Sequence, residues 1–369
     1  MVNHAFIPVA EPLLAGNELK YVTDCITTGW ISSLGKYVKD FESQFAAYCG
    51  RRYGIATANG TVAIHLLAAS LNLGPGDEVI MPSLTYVATA SGIRYTGATP
   101  VFVDSEQETW NIDPQLVEAA ITPRTKAIFA VHLYGHPAEM DSLRQMAEAH
   151  KIWLWEDAAE AHGACYKGQR VGGLSDAAIF SFYGNKIITS GEGGIIVTDD
   201  EALAQRAFFL ENQGRYQENP YWHPEIAFNY RMTNIQAAIG LAQFERIEEL
   251  LALRRRNAEH YRRRLAGIPG LTLTPEAPWA HNVYWMYSVL IEDDFGLNRD
   301  EVRNRLRAAN IDSRPFFYPV HTLPMYNTGQ SLPVAEALAN KGLNLPSGAT
   351  LTPEQIDYIC DTLASLQGV

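Results

Sequence analysis

The chain has 369 residues, of which 47% are apolar and 19% charged, with 28 Gly and 19 Pro. That is more than one minimal domain needs, and the composition excludes a disordered, collagen-like or linker-like chain. Lys and Arg number 29 against 41 Asp and Glu, a net charge of −12, so the surface repels polyanions and argues against a general nucleic-acid binder.

From residue 53 the pattern alternates short apolar runs with helical spacing. Strands are predicted at Tyr53–Thr57, Glu78–Met81, Pro100–Val103, Lys126–Val131 and Ile152–Glu156. Helices are predicted between them, at Thr61–Leu71, Val87–Tyr95, from Asp113, and at Met140–His150. Such alternation implies βαβ crossovers and a mostly parallel sheet covered on both faces. Two further strands, Ala177–Ser181 and Gly194–Thr198, are separated by a Gly-rich turn. A helical pattern resumes at Asp200, and one long helix is expected from Asn234 to about Leu265. Its Arg254–Arg256 and Arg262–Arg264 runs read as a solvated helix face. After GIPGLTLTPEAPW come a strand at Val283–Ile291, a helix at Arg299–Ala308, a strand at Ile311–Arg314, a Pro-rich loop and a helix from Pro353. The expected class is α/β. A large domain (1–250) carries a mixed, mostly parallel sheet, and a smaller α+β domain (251–369) follows, with packing of the N-terminal segment on the small domain left open.

The four cysteines, Cys25, Cys49, Cys165 and Cys360, form no C-x-x-C. They suit a reducing compartment rather than a disulfide framework or a zinc site. The N-terminus lacks the features of a signal peptide, and no stretch is apolar enough for a membrane span, so a cytoplasmic location is expected. No nucleotide-binding or hydrolase fingerprint is found. GEGG at 191–194 leads into a strand, and G-x-x-x-x-G-K-[ST], H-E-x-x-H and G-x-S-x-G are absent. His132 and His136 are four apart but flank Gly135 and precede Pro137, which disfavours a metal pair, and no metal is expected.

In an open α/β sheet, ligands bind at the carboxyl ends of strands. There the sequence places Asn59-Gly60-Thr61, Ser83–Tyr86, Asp104, His132–Tyr134, Asp157–His162 and Ser181–Lys186. Singly, an Asp at a strand end reads as a cap, a lone Lys as solvated, and NGT as a helix start. Together, Lys186, Asp157 and NGT fit pyridoxal 5′-phosphate (PLP) chemistry. That chemistry needs an amine for a Schiff base, a carboxylate against the pyridine nitrogen and a phosphate cradle. Lys186 would supply the amine and Asp157 the carboxylate. Gly60 and Thr61 would offer backbone N–H groups to the phosphate, Ser181 a hydroxyl, and Tyr86 would cover the ring.

The motifs carry a resemblance over nearly the whole chain. They are GNE…WISS (16–33), NGT, GPGDEVIMPSLTYVATA (74–90), GATPVFVD (97–104), VHLYG (131–135), EDAAEAHGA, FSFYGNKIITSGEGG (180–194), NYRMTNIQAAIG (229–240) and RPFFYPVH (314–321). The chain resembles the nucleotide-sugar aminotransferases of PLP fold type I. The resemblance implies L-glutamate as amino donor and a nucleotide-linked 4-keto-6-deoxy sugar as acceptor, GDP-linked in the first reading, with a UDP-linked or other keto sugar as the alternative. It implies synthesis of a surface polysaccharide, and a homodimer in which Asn229 reaches the cofactor phosphate of the neighbouring subunit. It places Glu160 near the cofactor's phenolic oxygen, where many family members carry Gln. It assigns His162, Arg231, Phe317, Tyr318 and His321 to the substrate side, with His321 either a pocket ligand or a capped loop residue. Trp285 is expected to pack. A dehydratase branch of the family carries His at the Schiff-base position, and Lys186 argues against it. A catalytically silent PLP-binding protein is the remaining rival.

Overall fold

The β-branched and apolar runs pair as their burial demands. Ala177–Ser181 and Gly194–Thr198 are buried on both faces, which only a sheet sandwiched between helix layers permits. The computed structural model describes residues 5–216, 218–219 and 221–368. Seven strands form the central sheet, in the spatial order Tyr53–Thr57, Gly194–Thr198, Ala177–Ser181, Trp153–Asp157, Thr125–Val131, Glu78–Pro82 and Thr99–Val103. Six run in one direction, and Gly194–Thr198 pairs antiparallel with both neighbours. The carboxyl ends of Tyr53–Thr57, Trp153–Asp157 and Ala177–Ser181 therefore open on the same edge. A second, antiparallel sheet orders Leu271–Leu273, Tyr287–Ile291, Gly342–Leu345 and Arg314–Pro315.

The long helix expected from Asn234 is two helices, Asn234–Phe244 and Ile247–Leu265. Arg246 leaves helical geometry at φ −114°, ψ 15°, and its guanidinium donates to both oxygens of Glu249 at 2.7 and 2.9 Å. No Gly or Pro marks the break. The two helices follow different neighbours, the first packing on Glu18–Thr28 and Lys36–Tyr48, the second on Pro353–Ala364. The second helix spans two cores. Ile247, Leu250 and Leu251 belong to the core of the large sheet, while Ala258, Tyr261 and Leu265 join Tyr287, Val289 and Ile359 in the other. The expected boundary at 250/251 falls inside it. Ile7 belongs to the second core and bridges Ile311. The expected strand at Val283–Ile291 begins only at Tyr287, because Tyr284 turns left-handed at φ 48°. Arg254 departs from the solvated face expected of it. It is buried, and its Nη1 donates to Trp285 O at 2.9 Å and Ser347 O at 3.0 Å.

Candidate active site

The helix Gly60–Ser70 starts two residues after the strand Tyr53–Thr57. Asn59 caps it by accepting the Val62 N–H at 3.0 Å, which leaves the first-turn N–H groups aimed past the strand end. Gly60 is required there: an added Cβ would come within 2.9 Å of Ser181 Cβ. The same edge carries Asp157, the last residue of its strand, and Ser181, the last of the next. Lys186 follows in a turn where its N–H donates to Tyr183 O at 2.9 Å.

These residues share one cavity of about 600 Å3, lined by Gly60, Thr61, Tyr86, Asp157, Glu160, Ser181, Lys186, Trp285 and Phe317 among others. A broader depression beside Cys165, Arg170 and Trp279 contains none of the predicted residues. Asp157 is buried. Its Oδ2 accepts the Thr89 hydroxyl at 2.7 Å and its Oδ1 the Ala159 N–H at 3.2 Å. Desolvation pushes its carboxyl above the ordinary range, against the Thr89 bond and the Lys186 charge. Burial likewise pushes the Lys186 amine down, opposed by Glu160 and Asp157. Glu160 Oε1 lies 3.8 Å from Lys186 Nζ, and Oε2 accepts the Tyr134 N–H at 2.8 Å.

Trp285 packs as expected, buried in the main core, and its ring also forms a cavity wall. Lys186 Nζ sits 3.8 Å from its ring centroid, and its indole N–H donates to Asn185 O at 2.9 Å. Tyr86 is 57% exposed and meets Phe317 at 5.5 Å between ring centroids. Of the residues expected on the substrate side, His162 and His321 do not line the cavity, and His321 follows its capped-loop alternative. His162 is wholly buried among Phe45, Phe180 and Phe182, where desolvation pushes its imidazole down to about 3. His321 is also buried. Its Nδ1 shares a hydrogen bond with Ser83 Oγ at 2.6 Å, and Nε2 lies 3.1 Å from Glu336 Oε1, so both ring nitrogens are occupied in tying a loop. Tyr318 is exposed and does not line the cavity. Arg231 lies outside it too, with Nε donating to Ser33 Oγ at 3.1 Å and Nη1 to Asn212 Oδ1 at 2.8 Å. Asn229 is exposed, beyond this cavity's lining. Sequence reading missed Thr89 and Trp285, which only the fold brings to Asp157 and Lys186.

The pair His132–His136 has other partners. His132 Nδ1 accepts the Ala138 N–H at 3.0 Å and Nε2–H donates to Glu156 at 3.0 Å. His136 Nε2 accepts the Ala277 N–H at 3.0 Å.

A family model described as the DegT/DnrJ/EryC1/StrS aminotransferase family matches residues 12–364. The chain belongs to this family. The aminotransferase is 49% identical over 360 residues to the GDP-perosamine synthase of Caulobacter vibrioides, covering 97% of each chain. It is 45% identical over 359 residues to the protein of the same name from Escherichia coli O157:H7, covering 97% of this chain and 98% of that one. The X-ray structure of S. venezuelae DesV in complex with a ketimine intermediate superposes with a TM-score of 0.92 at 38% identity, covering 98% of both chains. Helicobacter pylori PseC, an aminotransferase involved in the biosynthesis of pseudoaminic acid, gives 0.94 at 25% identity, covering 98% of this chain and 99% of that one. The enzyme is thus a PLP-dependent aminotransferase with that family's α/β fold. The cavity fits the cofactor. It has a helix N-terminus closed by Gly60 against Ser181, a buried amine, and a buried carboxylate that accepts hydrogen bonds from Thr89 and Ala159.

Proposed function

We propose that this aminotransferase moves the amino group of L-glutamate to C4 of GDP-4-keto-6-deoxy-mannose, forming GDP-perosamine. The observation that carries this reading is the name GDP-perosamine synthase on three relatives, from Caulobacter vibrioides, Escherichia coli O157:H7 and Vibrio cholerae, at 49%, 45% and 42% identity over nearly their full length. The surrounding proposal is a cytoplasmic enzyme of surface-polysaccharide synthesis. It acts as a homodimer whose Asn229 side chains reach across to the neighbouring phosphate site, with Arg231 beside them. Each chain comprises a large cofactor domain and a smaller domain, meeting along the helix Ile247–Leu265.

PLP supplies an aldehyde carbon to which amines attach and a protonated pyridine ring that accepts the electron pair released at the donor Cα. Asp157 holds the proton on the ring nitrogen, its ionised form favoured by Thr89 and Ala159. Gly60 and Thr61 N–H groups and the Ser181 hydroxyl bind the phosphate at the helix N-terminus. Lys186 binds the cofactor through its amine. Once free, that amine would take the proton from the donor Cα and give it back as an acid, so Lys186 would serve as base and then acid. Burial, which lowers the amine's affinity for a proton against the pull of Glu160 and Asp157, suits it to that task. Trp285, Phe317 and Tyr86 wall the site and would limit the access of water to the reacting atoms.

Absorbance spectroscopy tests the reading. The purified protein with PLP shows a visible band, L-glutamate bleaches it, and GDP-4-keto-6-deoxy-mannose restores it. Restoration by a UDP-linked keto sugar alone would move the substrate assignment. Absence of a band would remove Lys186 from its role.

A further inference from the structure

Glu160 is a buried carboxylate on the wall of the Lys186 cavity. Its Oε2 accepts the Tyr134 N–H at 2.8 Å, and its Oε1 lies 3.8 Å from Lys186 Nζ. The Tyr134 peptide is held in an uncommon way. Tyr134 sits at φ 53°, ψ 16° and is buried, a left-handed backbone that is unfavourable for a non-glycine residue and persists where the surroundings enforce it. That turn fixes one carboxylate oxygen and leaves the other toward Lys186. Three titratable groups face Glu160, which lies in the turn after the strand Trp153–Asp157: Asp157 from the end of that strand, Lys186 from the loop after Ser181, and Tyr134 from the turn after Val131. Desolvation raises the Glu160 carboxyl to about 7, and the Asp157 charge adds to this while Lys186 opposes it. A carboxyl so balanced can both accept and release a proton at neutral pH.

An amino-acid donor arrives at neutral pH as an ammonium ion. Its nitrogen has no free electron pair and forms no bond to carbon until one proton leaves. Lys186 cannot hold that proton and also be the neutral amine that takes the next one from Cα. We infer that Glu160 is the catalytic base that deprotonates the incoming amino donor and later reprotonates the departing amino sugar. An N–H bond of the donor breaks and its electron pair stays on nitrogen. An O–H bond forms on Glu160 Oε1, so an ammonium and a carboxylate become a neutral amine and a neutral acid. In the second half-reaction the acid returns its proton to the product amine, and both original charges are restored. The inference rests on the proposed amino transfer and adds the group that balances its protons.

The test is a stopped-flow measurement on the full-length, PLP-loaded enzyme, following bleaching of the visible band by L-glutamate between pH 6 and 9. In the wild type the rate constant rises with pH and then levels off. In Glu160→Gln it is about 100-fold lower at pH 7, within the usual worth of a general base. It also keeps rising roughly tenfold per pH unit, because only the free-amine fraction of glutamate reacts. Glu160→Asp restores the plateau. PLP affinity and band intensity, measured alongside, separate loss of the base from loss of the cofactor site. A Glu160→Gln profile that overlays the wild type overturns the inference while leaving the amino-transfer reading intact. If Glu160→Gln binds no PLP, Glu160→Asp decides: a profile without a plateau, beside a wild type that has none, overturns it. A wild-type protein that glutamate does not bleach overturns both together.

Discussion

Asp157 and Lys186 owe their chemistry to burial as much as to identity. Water would level both groups to ordinary behaviour. In the cavity, desolvation raises the acid and lowers the amine, and Thr89 and Glu160 set how far each moves. Asp157→Asn removes the charge that, in the proposed mechanism, would hold the ring-nitrogen proton. Donor half-reaction rates are expected to fall about 100-fold or more, with an unchanged thermal midpoint of the cofactor-free protein. Gly60→Ala places a methyl group 2.9 Å from Ser181 Cβ. Overpacking of this kind costs about 1–3 kcal/mol. Shifting the helix N-terminus away from the phosphate should weaken PLP binding about tenfold, roughly 1.4 kcal/mol, read by titration of the visible band.

Helices and loops around the site are held by side chains that read from sequence as functional. Asp104 stands at a strand end, yet its two oxygens accept the Val334 and Ala335 N–H groups at 3.0 and 2.8 Å and cap the helix Pro333–Lys341. His321 is of the same kind, joining Ser83 to Glu336. His321→Ala removes the imidazole partner of Ser83 and Glu336 and leaves Ser83 Oγ only the backbone N–H of residue 321; the expected effect is a loss of about 1–3 kcal/mol in denaturant unfolding, with the KM for the nucleotide sugar little changed. A large rise in KM without loss of stability would return His321 to the substrate site. The break at Arg246 has the opposite lesson. Continuous apolar spacing extends through it, and only the divergent packing of the two helices requires a bend.

Across the whole molecule, buried ionisable groups set the pH range of stability from both sides. Glu211 Oε2 has no hydrogen-bond partner, and burial, with the Glu42 charge adding to it, raises the Glu211 carboxyl to about 8. Burial raises Glu42 to about 7. An unfolded chain sheds these protons near pH 4.5 while the folded chain keeps them, so stability falls as pH rises from about 5 to 8, by up to roughly 1.4 kcal/mol per unit for each group. His162, held neutral down to about 3, acts in the other direction. Below its unfolded value near 6.5 the unfolded chain takes up a proton the folded chain refuses, and stability falls with falling pH. Glu211→Gln should flatten the alkaline slope in denaturation midpoints measured from pH 5 to 8 and leave the acid slope in place.

Local patterning was enough to read the parallel sheet, the residues at its carboxyl edge and the joint meaning of NGT, Asp157 and Lys186. Strand period, helix start and catalytic residue type are all written within a few positions of one another. Thr89 against Asp157, Trp285 over Lys186, and the burial of His162, His321 and Arg254 were decided by the tertiary structure. Each depends on which face of a distant element turns inward, and that is settled by packing between segments dozens to hundreds of residues apart. The left-handed Tyr134 turn belongs to the same class, since nothing in a tyrosine announces positive φ, and only the surrounding contacts with Glu160, Trp285 and Phe317 hold it there.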